Sequence, residues 1–503
     1  MKKTCISLFI VFFGIFLLRF PSLFEPFWYG DEGIFAAVAS NLNQGGVLYK
    51  TAWDNKPLMI YLTYAAIFKY FGVSMFWLRM GALVSVLITA AAIYEIGRGV
   101  YGERKGVIVA GIFGVLSSLR IVEGNLALTE IFMILPISLA MLVAIKRKFD
   151  YPSLFAAGVL FAVGSLYKQV GVMEAAALGI FLFLYTNGFS RFVKKALVLS
   201  CGFGLVYLFT ILYFAQKHLL SDYIFAAYTY YRIYLGESPR YAVLINILKY
   251  MPILAAVGYG LIKKYGLSLI RHPDPASAGE GSGVDLFDLV LLWTAFSFLG
   301  SYFSGRTYGH YLVQATVAVS LLLAGVNLHF GRLRSNKFVV GFAILYFIPL
   351  VLLTQLLFSN FLSGGPVNQI KYFRNFLDFA TGRKNLTAYN NFFDSNVNTI
   401  MALNDFFASR GDHGTSAYIW GDMSWLYAVG DLRNPSRYVT SFHVFGVPNG
   451  KEEVAKALDA NKPKYIIKGQ SSIGYFGELE KLLSYNYTFV LQVENASVFR
   501  RKD

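Results

Sequence analysis

CISLFIVFFGIFLL occupies residues 5–18, directly behind the cations Lys2 and Lys3. Apolar runs of this kind recur to about residue 360, and many approach the roughly 20 residues that cross the hydrocarbon core of a bilayer. Of the 503 residues, 56% are hydrophobic and only 15% are charged, which is far from the composition of ordinary globular proteins. The sequence therefore predicts a polytopic α-helical membrane protein.

The first run is not followed by a small-residue cleavage site, because the next residues read RFPSLFEPFWYGDE. A cleaved signal peptide needs such a site, so we expect a retained signal anchor.

About eleven membrane spans are predicted from the apolar runs, and the ends of each span are defined only to within several residues. They lie near residues 6–21, 79–98, 106–122, 130–145, 152–167, 170–186, 195–215, 241–262, 285–303, 308–327 and 338–358.

The orientation follows from the Lys and Arg residues, since cytoplasmic loops carry the excess of positive charge. If Lys2 and Lys3 are cytoplasmic, alternate loops must be basic, and all of them are: GRGVYGERKG, KRKF, FSRFVKK, KKYGLSLIRHPDPASAGEGSG and HFGRLRSNK. Within the fourth loop, HPDPASAGEGSG has the composition of a flexible linker. The N-terminus is then cytoplasmic in a cell inner or plasma membrane.

This orientation places residues 22–78 outside the cell membrane as a first outer loop. GIFAAVASNL and PLMIYLTYAAIFKYFG in this loop have apolar residues at helical spacing, and we expect interfacial helices there and at residues 223–234. We assign residues 1–360 to the transmembrane domain. Residues 361–503 are predicted to form a small extracytoplasmic α/β domain, with strands at SAYIW, KYIIK and FVLQV.

The net charge of +16 does not indicate nucleic-acid binding, because the cations lie mostly in short loops between spans. Cys5 and Cys201 both fall in apolar runs, which argues against a disulfide scaffold or a zinc site.

Many ionisable residues gather at the predicted outer face, although charge at membrane depth is costly. They are Asp31, Glu32, Asp54, Lys56, Arg79, Arg120, Glu123, Glu130, Lys168, Arg306 and His310. For a single Lys or Arg, anchoring or snorkelling at a span end is the simpler explanation. Asp31 and Glu32 are adjacent and repel each other unless compensated. They either cap the helix that follows or supply a carboxylate that accepts a proton during catalysis.

The segment GDEGIFAAVASNLNQGGVLYKTAWDNKPLMIYLTYAAIFKYFG (residues 30–72) resembles bacterial and archaeal relatives of protein O-mannosyltransferases, GT-C glycosyltransferases that include the aminoarabinose transferases of lipid A. The family has an acidic pair after the first span, matched by Asp31 and Glu32. A D-x-K-P-P-like element follows, matched through Pro57 but not at Leu58. Glu130 in LTE matches a later acidic position. GSLYKQVG and SGRTYGHYLVQ also look like family segments, and the resemblance covers roughly residues 6–330.

This resemblance implies a GT-C fold and transfer of a sugar from a polyprenyl-phosphate donor on the extracytoplasmic side. Asp31 is then the general base of an inverting reaction, with Glu32 and Glu130 orienting the acceptor or supporting cations. Lys56, Lys168, Arg306 and His310 are the candidates that bind the donor phosphate. The acceptor is a lipid, a protein or a polysaccharide.

Asp31, Glu32 and Glu130 have oxygen ligands that suit Mg²⁺ or Mn²⁺. Lys56 and the arginines can neutralise the phosphate instead, and monophosphate-using relatives generally work without a metal, so we expect no cofactor.

Three alternatives stay open at this stage. A polytopic lipid or sugar transporter or flippase also has many spans and charges, although its charges usually lie near the midplane of repeated halves. Oligosaccharide transfer from a diphosphate carrier is the second, for which WGDMSW (residues 420–425) is a faint signal that more readily fits a strand followed by a helix start. A non-catalytic scaffold is the third.

Overall fold

The computed structural model describes residues 2–236, 286–303, 306, 308–330, 365–469 and 474–502. These residues are mostly helical, with one small sheet near the C-terminus. They divide into two compact units. The first unit takes the described residues within Met1–Phe20, Ala82–Leu212 and Leu235–Gln369, and the second takes those within Pro21–Gly81, Tyr213–Tyr234 and Ile370–Asp503.

The helices up to residue 330 are α1 Lys2–Arg19, α2 Gly30–Asn43, α3 Met59–Phe71, α4 Met75–Tyr101, α5 Glu103–Leu116, α6 Thr129–Lys146, α7 Tyr151–Ser165, α8 Val172–Tyr185, α9 Phe189–Gln216, α10 Leu220–Ile224, α11 Tyr231–Gly236, α12 Leu286–Tyr302 and α13 Val313–Phe330. Short 3₁₀ turns are Phe20–Phe24, Arg120–Val122, Gln169–Gly171 and Gly309–Leu312, and Phe225–Thr229 is a π-helical turn.

The C-terminal elements are a 3₁₀ turn Gly365–Val367, then α14 Gln369–Ala380, α15 Leu386–Asn391, α16 Asn396–Ser409, β1 Ala417–Trp420, α17 Trp425–Val429, α18 Ser441–Gly446, α19 Gly450–Asn461, β2 Tyr465–Gly469, α20 Gly477–Asn486, β3 Tyr487–Val493 and β4 Ala496–Arg501.

The predicted spans that fall on described residues all coincide with helices. Those at residues 241–262 and 338–358 lie outside the described residues, as do the linker at 272–283 and the basic loops around it and after α13. Among the described residues, four helices are long and apolar enough to cross a membrane: Lys3–Phe24, Met75–Tyr101, Thr129–Lys146 and Phe189–Gln216. Shorter apolar helices are Tyr151–Ser165, Gln169–Tyr185, Leu286–Tyr302 and Gly309–Gly325. An integral membrane protein is confirmed, while the count of eleven spans and the orientation stay predictions.

Small residues bring apolar helices of the first unit together. A methyl group at Gly158 of α7 would overlap the Leu199 carbonyl of α9, and one at Gly202 of α9 would overlap the Phe155 carbonyl. Close backbone approach at glycines is how membrane helices gain van der Waals contact, since lipid offers no hydrophobic driving force between them. The start of α7 is fixed locally, because Asp150 accepts a hydrogen bond from Ser153 N at 2.9 Å.

The helices predicted in the first outer loop are present. α2 is buried along most of its length, with Phe35 and Val38 in the core of the second unit, and it packs on α3 and on α17 of the C-terminal region. α3 leaves Leu62, Tyr70 and Phe71 exposed. An exposed apolar face on α3 favours a position at the membrane interface, which stays a prediction for all three candidate helices. The third candidate, residues 223–234, is also helical around its π turn.

The C-terminal sheet has the strand order β1-β2-β4-β3. β1 runs parallel to β2, with Ala417 opposite Tyr465, whereas β4 pairs antiparallel with both β2 and β3. The three predicted strands are confirmed, and β4, which was not predicted, completes the sheet. WGDMSW forms the end of β1 and the start of α17, as predicted. The domain boundary at residue 360 stays a prediction. By packing, the C-terminal region groups with residues 21–81 and 213–234.

Candidate active site

The predicted site residues belong to both units. Asp31, Glu32 and Lys56 lie in the second unit, and Glu130, Lys168, Arg306 and His310 lie in the first.

The acidic pair stands in the first turn of α2. The helix begins at Gly30, and its N-cap residue is Tyr29, which makes no side-chain cap hydrogen bond. Neither carboxylate is therefore the N-cap residue, although both lie where the helix dipole favours negative charge. The two side chains differ in environment, because Glu32 is 0% exposed and Asp31 is partly exposed.

Glu32 is held in a buried network around Arg79 of α4. Arg79 Nη1 pairs with Glu32 Oε1, and Arg79 Nη2 donates to Glu32 Oε2 and to Glu25 Oε2, both at 2.9 Å. All three side chains are fully buried. The guanidinium binds Glu32 in a bidentate geometry and Glu25 through one hydrogen bond, and both contacts offset the cost of burying the carboxylates. Arg79 is thus the cation that compensates the buried negative charge of Glu32 in this unit.

Glu25 is a member of this network that the sequence analysis missed. It also accepts hydrogen bonds from Tyr372 Oη at 2.7 Å and from Trp28 Nε1 at 2.8 Å. The signal in the sequence is the lone carboxylate of FEPFW, placed between apolar residues close to the acidic pair. Tyr372 belongs to α14, so the C-terminal region contributes to the surroundings of the acidic pair.

α17 also lies against the start of α2. Trp425 Nε1 donates to the Tyr29 carbonyl at 3.0 Å, and a Cβ on Gly33 would lie 2.8 Å from Trp425 Cδ1. The second glycine of GDEGIF therefore permits a close contact with the indole ring. Near this turn, burial and the carboxylates of Glu32 and Asp31 raise the pKa of Tyr64 well above its usual value.

The segment WDNKP forms a hydrogen-bonded turn at which Lys56 is partly exposed. Lys56 Nζ donates to Asn55 Oδ1 at 2.8 Å. The Lys56 carbonyl accepts from Tyr49 Oη at 2.7 Å, and the Lys56 amide donates to Tyr61 Oη at 3.2 Å. Tyr61 in turn donates to Asp54 Oδ2 at 2.7 Å. The backbone of Lys56 is therefore held on both sides by tyrosines.

His443 of α18 is a second residue that the sequence analysis missed. Its Nε2 lies 3.3 Å from Asp54 Oδ1, and its ring stands edge-on to Trp53 at a centroid distance of 4.9 Å. Burial lowers the pKa of His443 to about 4. The negative charge of Asp54 raises this pKa and the positive charge of Lys56 lowers it, but burial has the largest effect. No local pattern in SFHVFG marks this histidine, because its partner lies far away in the sequence.

In the first unit, Lys168 and Glu130 form a buried ion pair. Lys168 Nζ lies 2.5 Å from Glu130 Oε1, and Thr129 Oγ1 donates to Glu130 Oε2 at 2.8 Å. Lys168 Nζ also lies 3.4 Å from the centroid of the Tyr311 ring, which is cation–π geometry. Glu130 lies in the first turn of α6, and its negative charge compensates a lysine that is only 7% exposed.

His310 pairs with Glu123 in the same unit. Glu123 Oε2 forms a hydrogen bond with His310 Nδ1. The same oxygen accepts a hydrogen bond from the His310 backbone amide at 3.3 Å. A carboxylate on Nδ1 fixes the ring orientation and directs Nε2 to the opposite side. Arg306 is partly buried ahead of the 3₁₀ turn Gly309–Leu312. Arg120 donates from Nε to the Pro366 carbonyl at 2.9 Å, which is a structural contact.

Glu174 of α8 is a buried carboxyl that the sequence analysis did not select. It accepts from Ser297 Oγ at 2.9 Å and from Gln314 Nε2 at 2.9 and 3.0 Å. Polar side chains between membrane helices often bind one another in this way. Its sequence signal is weak, because a single Glu in VMEAAALG also fits a helix start.

Groups of three or more His, Cys, Asp or Glu side chains able to hold a metal ion do not occur among the described residues. The two carboxylates Glu32 and Glu130, which were considered as ligands, each pair with a cation of the chain. Absence of a metal stays a prediction. Both cysteines, Cys5 and Cys201, are free.

Residues 55–214 match the sequence model of the family described as dolichyl-phosphate-mannose-protein mannosyltransferase. No curated protein matches the chain in sequence.

Among solved structures, the fold is similar to that of ArnT from Cupriavidus metallidurans bound to undecaprenyl phosphate, with a TM-score of 0.53, 13% identity, and coverage of 99% of this chain and 97% of that one. Apo ArnT gives a TM-score of 0.56 at 12% identity, with 97% of each chain covered. The archaeal oligosaccharyltransferase AglB from Archaeoglobus fulgidus, in complex with an inhibitory peptide and a dolichol-phosphate, gives a TM-score of 0.45 at 13% identity, with 100% of this chain and 74% of that one covered.

Proposed function

We propose that this chain, a membrane glycosyltransferase of the GT-C class, transfers a sugar from a polyprenyl-phosphate donor to an acceptor hydroxyl or amine. Two findings support the donor class. The matched family is described as using dolichyl-phosphate-mannose, and ArnT, whose fold this chain resembles, was crystallised with undecaprenyl phosphate. Family and fold together favour the enzyme over the transporter and the scaffold.

The contrast between the two members of the acidic pair carries the assignment of the general base. Glu32 is fully buried and its carboxylate is engaged by Arg79, whereas Asp31 in the same helical turn keeps partial exposure. A base must reach the proton of an incoming acceptor within hydrogen-bond distance. We therefore assign the base to Asp31, and to Glu32 a supporting role through Arg79.

In this mechanism Asp31 accepts the proton of the acceptor hydroxyl while the acceptor oxygen attacks the anomeric carbon. The bond from that carbon to the phosphate oxygen breaks, and the polyprenyl phosphate leaves with the electron pair. A single displacement inverts the anomeric configuration, whereas retention by double displacement would need a carboxylate nucleophile at the sugar.

The departing phosphate gains negative charge, and cations placed around it lower the barrier. The family resemblance supports phosphate binding by Lys56, Lys168, Arg306 and His310. Glu130 supports this role for Lys168 by compensating its charge in the resting enzyme. His310 is included because Glu123 holds its Nδ1 and leaves Nε2 on the opposite side of the ring.

The reaction takes place on the extracytoplasmic side, on the evidence of the basic loops between the spans. The acceptor is a lipid, a protein or a polysaccharide of that compartment. A mass spectrometric comparison of envelope glycans and glycoproteins with and without the protein would identify it.

The test compares Asp31→Asn with the wild-type protein and with Asp405→Asn, an exposed aspartate of α16 that serves as the matched control. Purified protein is mixed with radiolabelled polyprenyl monophosphate sugars and extracted membrane lipids or glycans. We expect Asp31→Asn to lose transfer by at least about a hundredfold while its unfolding temperature is unchanged, and Asp405→Asn to keep full activity.

Full activity of Asp31→Asn would contradict the assignment of the base. NMR of the product tests inversion, since a retained anomeric configuration would exclude the single displacement. Movement of the lipid between leaflets without any new glycosidic product would contradict the proposed reaction as a whole.

A further inference from the structure

We infer that His443, in α18 of the C-terminal region, is a positioning residue for Lys56. The inference rests on the proposed function, in which Lys56 binds the donor phosphate. His443 does not act on the substrate. It acts through a chain of polar contacts that begins at Asp54 and ends at the backbone of Lys56.

The chain has three links, a close polar contact followed by two hydrogen bonds. His443 Nε2 lies 3.3 Å from Asp54 Oδ1, and Tyr61 Oη donates to Asp54 Oδ2 at 2.7 Å. The Lys56 amide then donates to Tyr61 Oη at 3.2 Å. Each oxygen of the Asp54 carboxylate thus serves one partner, and the imidazole is one of the two groups that orient it.

All three side chains are buried, which makes these contacts costly to break. The exposed fraction is 2% for Asp54, 2% for His443 and 0% for Tyr61. In such a low-dielectric environment a hydrogen bond is stronger than in water, and a buried acceptor that loses its donor is costly. Rotation of the Asp54 carboxylate away from His443 is therefore disfavoured, and Tyr61 stays in place.

Tyr61 and His443 both carry a proton that can point towards the carboxylate of Asp54. Burial, together with the charge of Asp54, raises the pKa of Tyr61 well above its usual value, so its hydroxyl keeps its proton. A neutral imidazole carries one proton, and the carboxylate selects Nε2 for it. His443 Nδ1 has no hydrogen-bond partner among the described residues, which is the arrangement of that tautomer.

The carbonyl of Lys56 accepts from Tyr49 Oη at 2.7 Å and also lies 3.4 Å from Tyr61 Oη, so Tyr49 adds a contact outside the chain that runs through Asp54. With amide and carbonyl both fixed, the turn limits where the partly exposed ammonium group can lie. His443 is one side-chain contact between the C-terminal region and this turn, and the ring of Tyr438, 5.7 Å from that of Trp53, is another. A backbone link stands beside it, from the Trp53 amide to the Arg437 carbonyl at 2.8 Å.

The experiment measures the Kd of undecaprenyl phosphate alone, in detergent, so that neither the sugar nor the acceptor needs to be known. The variants are Lys56→Ala, His443→Leu, His443→Gln and the double variant of Lys56→Ala with His443→Leu. His413→Leu is the matched control, because His413 is an exposed histidine of the same region.

We expect His443→Leu to raise the Kd by about tenfold, as the loss of a buried donor implies. His443→Gln restores most of the affinity, because its amide nitrogen can donate to Asp54 from a similar position. The double variant binds no more weakly than Lys56→Ala, since His443 acts only through Lys56. His413→Leu leaves the Kd unchanged.

The outcomes separate this inference from the function on which it rests. If Lys56→Ala leaves the Kd unchanged, Lys56 does not bind the phosphate, and both the assignment and the inference fail. If Lys56→Ala raises the Kd but His443→Leu does not, or if the two effects multiply in the double variant, the inference alone fails.

Tyr61→Phe keeps the test decisive should His443→Leu not fold. This change removes the middle link of the chain without leaving a cavity. We expect the same increase in Kd for undecaprenyl phosphate, and an unchanged Kd would overturn the inference.

Discussion

Glu32 and Arg79 form an ion pair in which both side chains are completely buried, 47 positions apart in the sequence. The neighbouring Asp31, in the same turn of α2, is partly exposed. Two adjacent carboxylates thus have different environments. Glu32 belongs to a buried ion-pair network, and the partial exposure of Asp31 supports the proposal that Asp31 is the base.

Replacement of Arg79 should destabilise the protein strongly. Arg79→Met leaves the carboxylates of Glu25 and Glu32 buried without their cation, and breaking a buried ion pair in this way costs about 3–5 kcal/mol. Arg98→Met is the matched control, because Arg98 lies on the same helix and pairs with Glu95 at 2.8 Å while 49% exposed. An exposed pair contributes about 0–1 kcal/mol.

Thermal unfolding of the purified variants in detergent measures this difference. We expect a large decrease in Tm for Arg79→Met and almost none for Arg98→Met. Equal decreases would mean that burial of the Arg79 network does not contribute to stability.

Treatment with EDTA should leave sugar transfer unchanged. Two of the three carboxylates that were candidate metal ligands, Glu32 and Glu130, already pair with Arg79 and Lys168. A divalent cation would have to displace those side chains from buried positions. The transfer rate is measured after chelation and again after addition of Mg²⁺ or Mn²⁺. A loss on chelation that either metal restores would contradict the prediction.

Much of the fold could be predicted from the sequence because the signals are local. Apolar runs of span length mark the helices, and short β-branched runs such as KYIIK mark strands. The strand ASVFRR was missed because its exposed end, Arg500 and Arg501, has no apolar pattern, and its position depends on pairing with β2 and β3. The helices of the outer loop were predicted, whereas the burial of α2 against α17 depends on tertiary contacts.

The candidate site could be predicted only in part, for a related reason. Charged residues in an apolar chain are conspicuous, so Asp31, Lys56 and Lys168 stand out once the predicted topology is drawn, but their roles came from the family resemblance. The groups that orient them are separated by long stretches of sequence. Tyr372 donates to Glu25 across 347 positions, and His443 reaches Asp54 from the C-terminal region. No periodicity in the sequence encodes such pairs.

Glu174 should tolerate loss of its charge but not loss of its hydrogen bonds. Its partners, Ser297 and Gln314, are neutral donors, and all three side chains are at most 2% exposed. In Glu174→Gln, the new amide can accept from Ser297 and pair with a flipped Gln314, so we expect a Tm close to that of the wild type. Glu174→Leu leaves two buried donors unsatisfied, at about 1–3 kcal/mol each.

Thermal unfolding again measures the effect, with Glu174→Gln as the isosteric control for Glu174→Leu. If Glu174→Gln destabilises the protein as much as Glu174→Leu, the charge itself contributes to stability and this interpretation is wrong.

His443 should make stability depend on pH between about pH 4 and 6.5. Burial lowers its pKa to about 4 in the folded protein, whereas a histidine in an unfolded chain titrates near 6.5. Between these values the unfolded state binds more protons, so stability rises with pH. The contribution of His443 is complete above about pH 6.5 and is lost as the pH falls towards 4, on the order of 3 kcal/mol in total.

The measurement is Tm from pH 4.5 to 7.5 for the wild type, His443→Gln and the exposed-histidine control His413→Gln. Glutamine does not titrate, so the Tm of His443→Gln should decrease less on acidification than that of the wild type, and the two curves should run parallel above pH 6.5. His413→Gln should follow the wild type throughout. Parallel curves for wild type and His443→Gln over the whole range would show that His443 is not held neutral beside Asp54 and Lys56, and that another group causes any acid sensitivity.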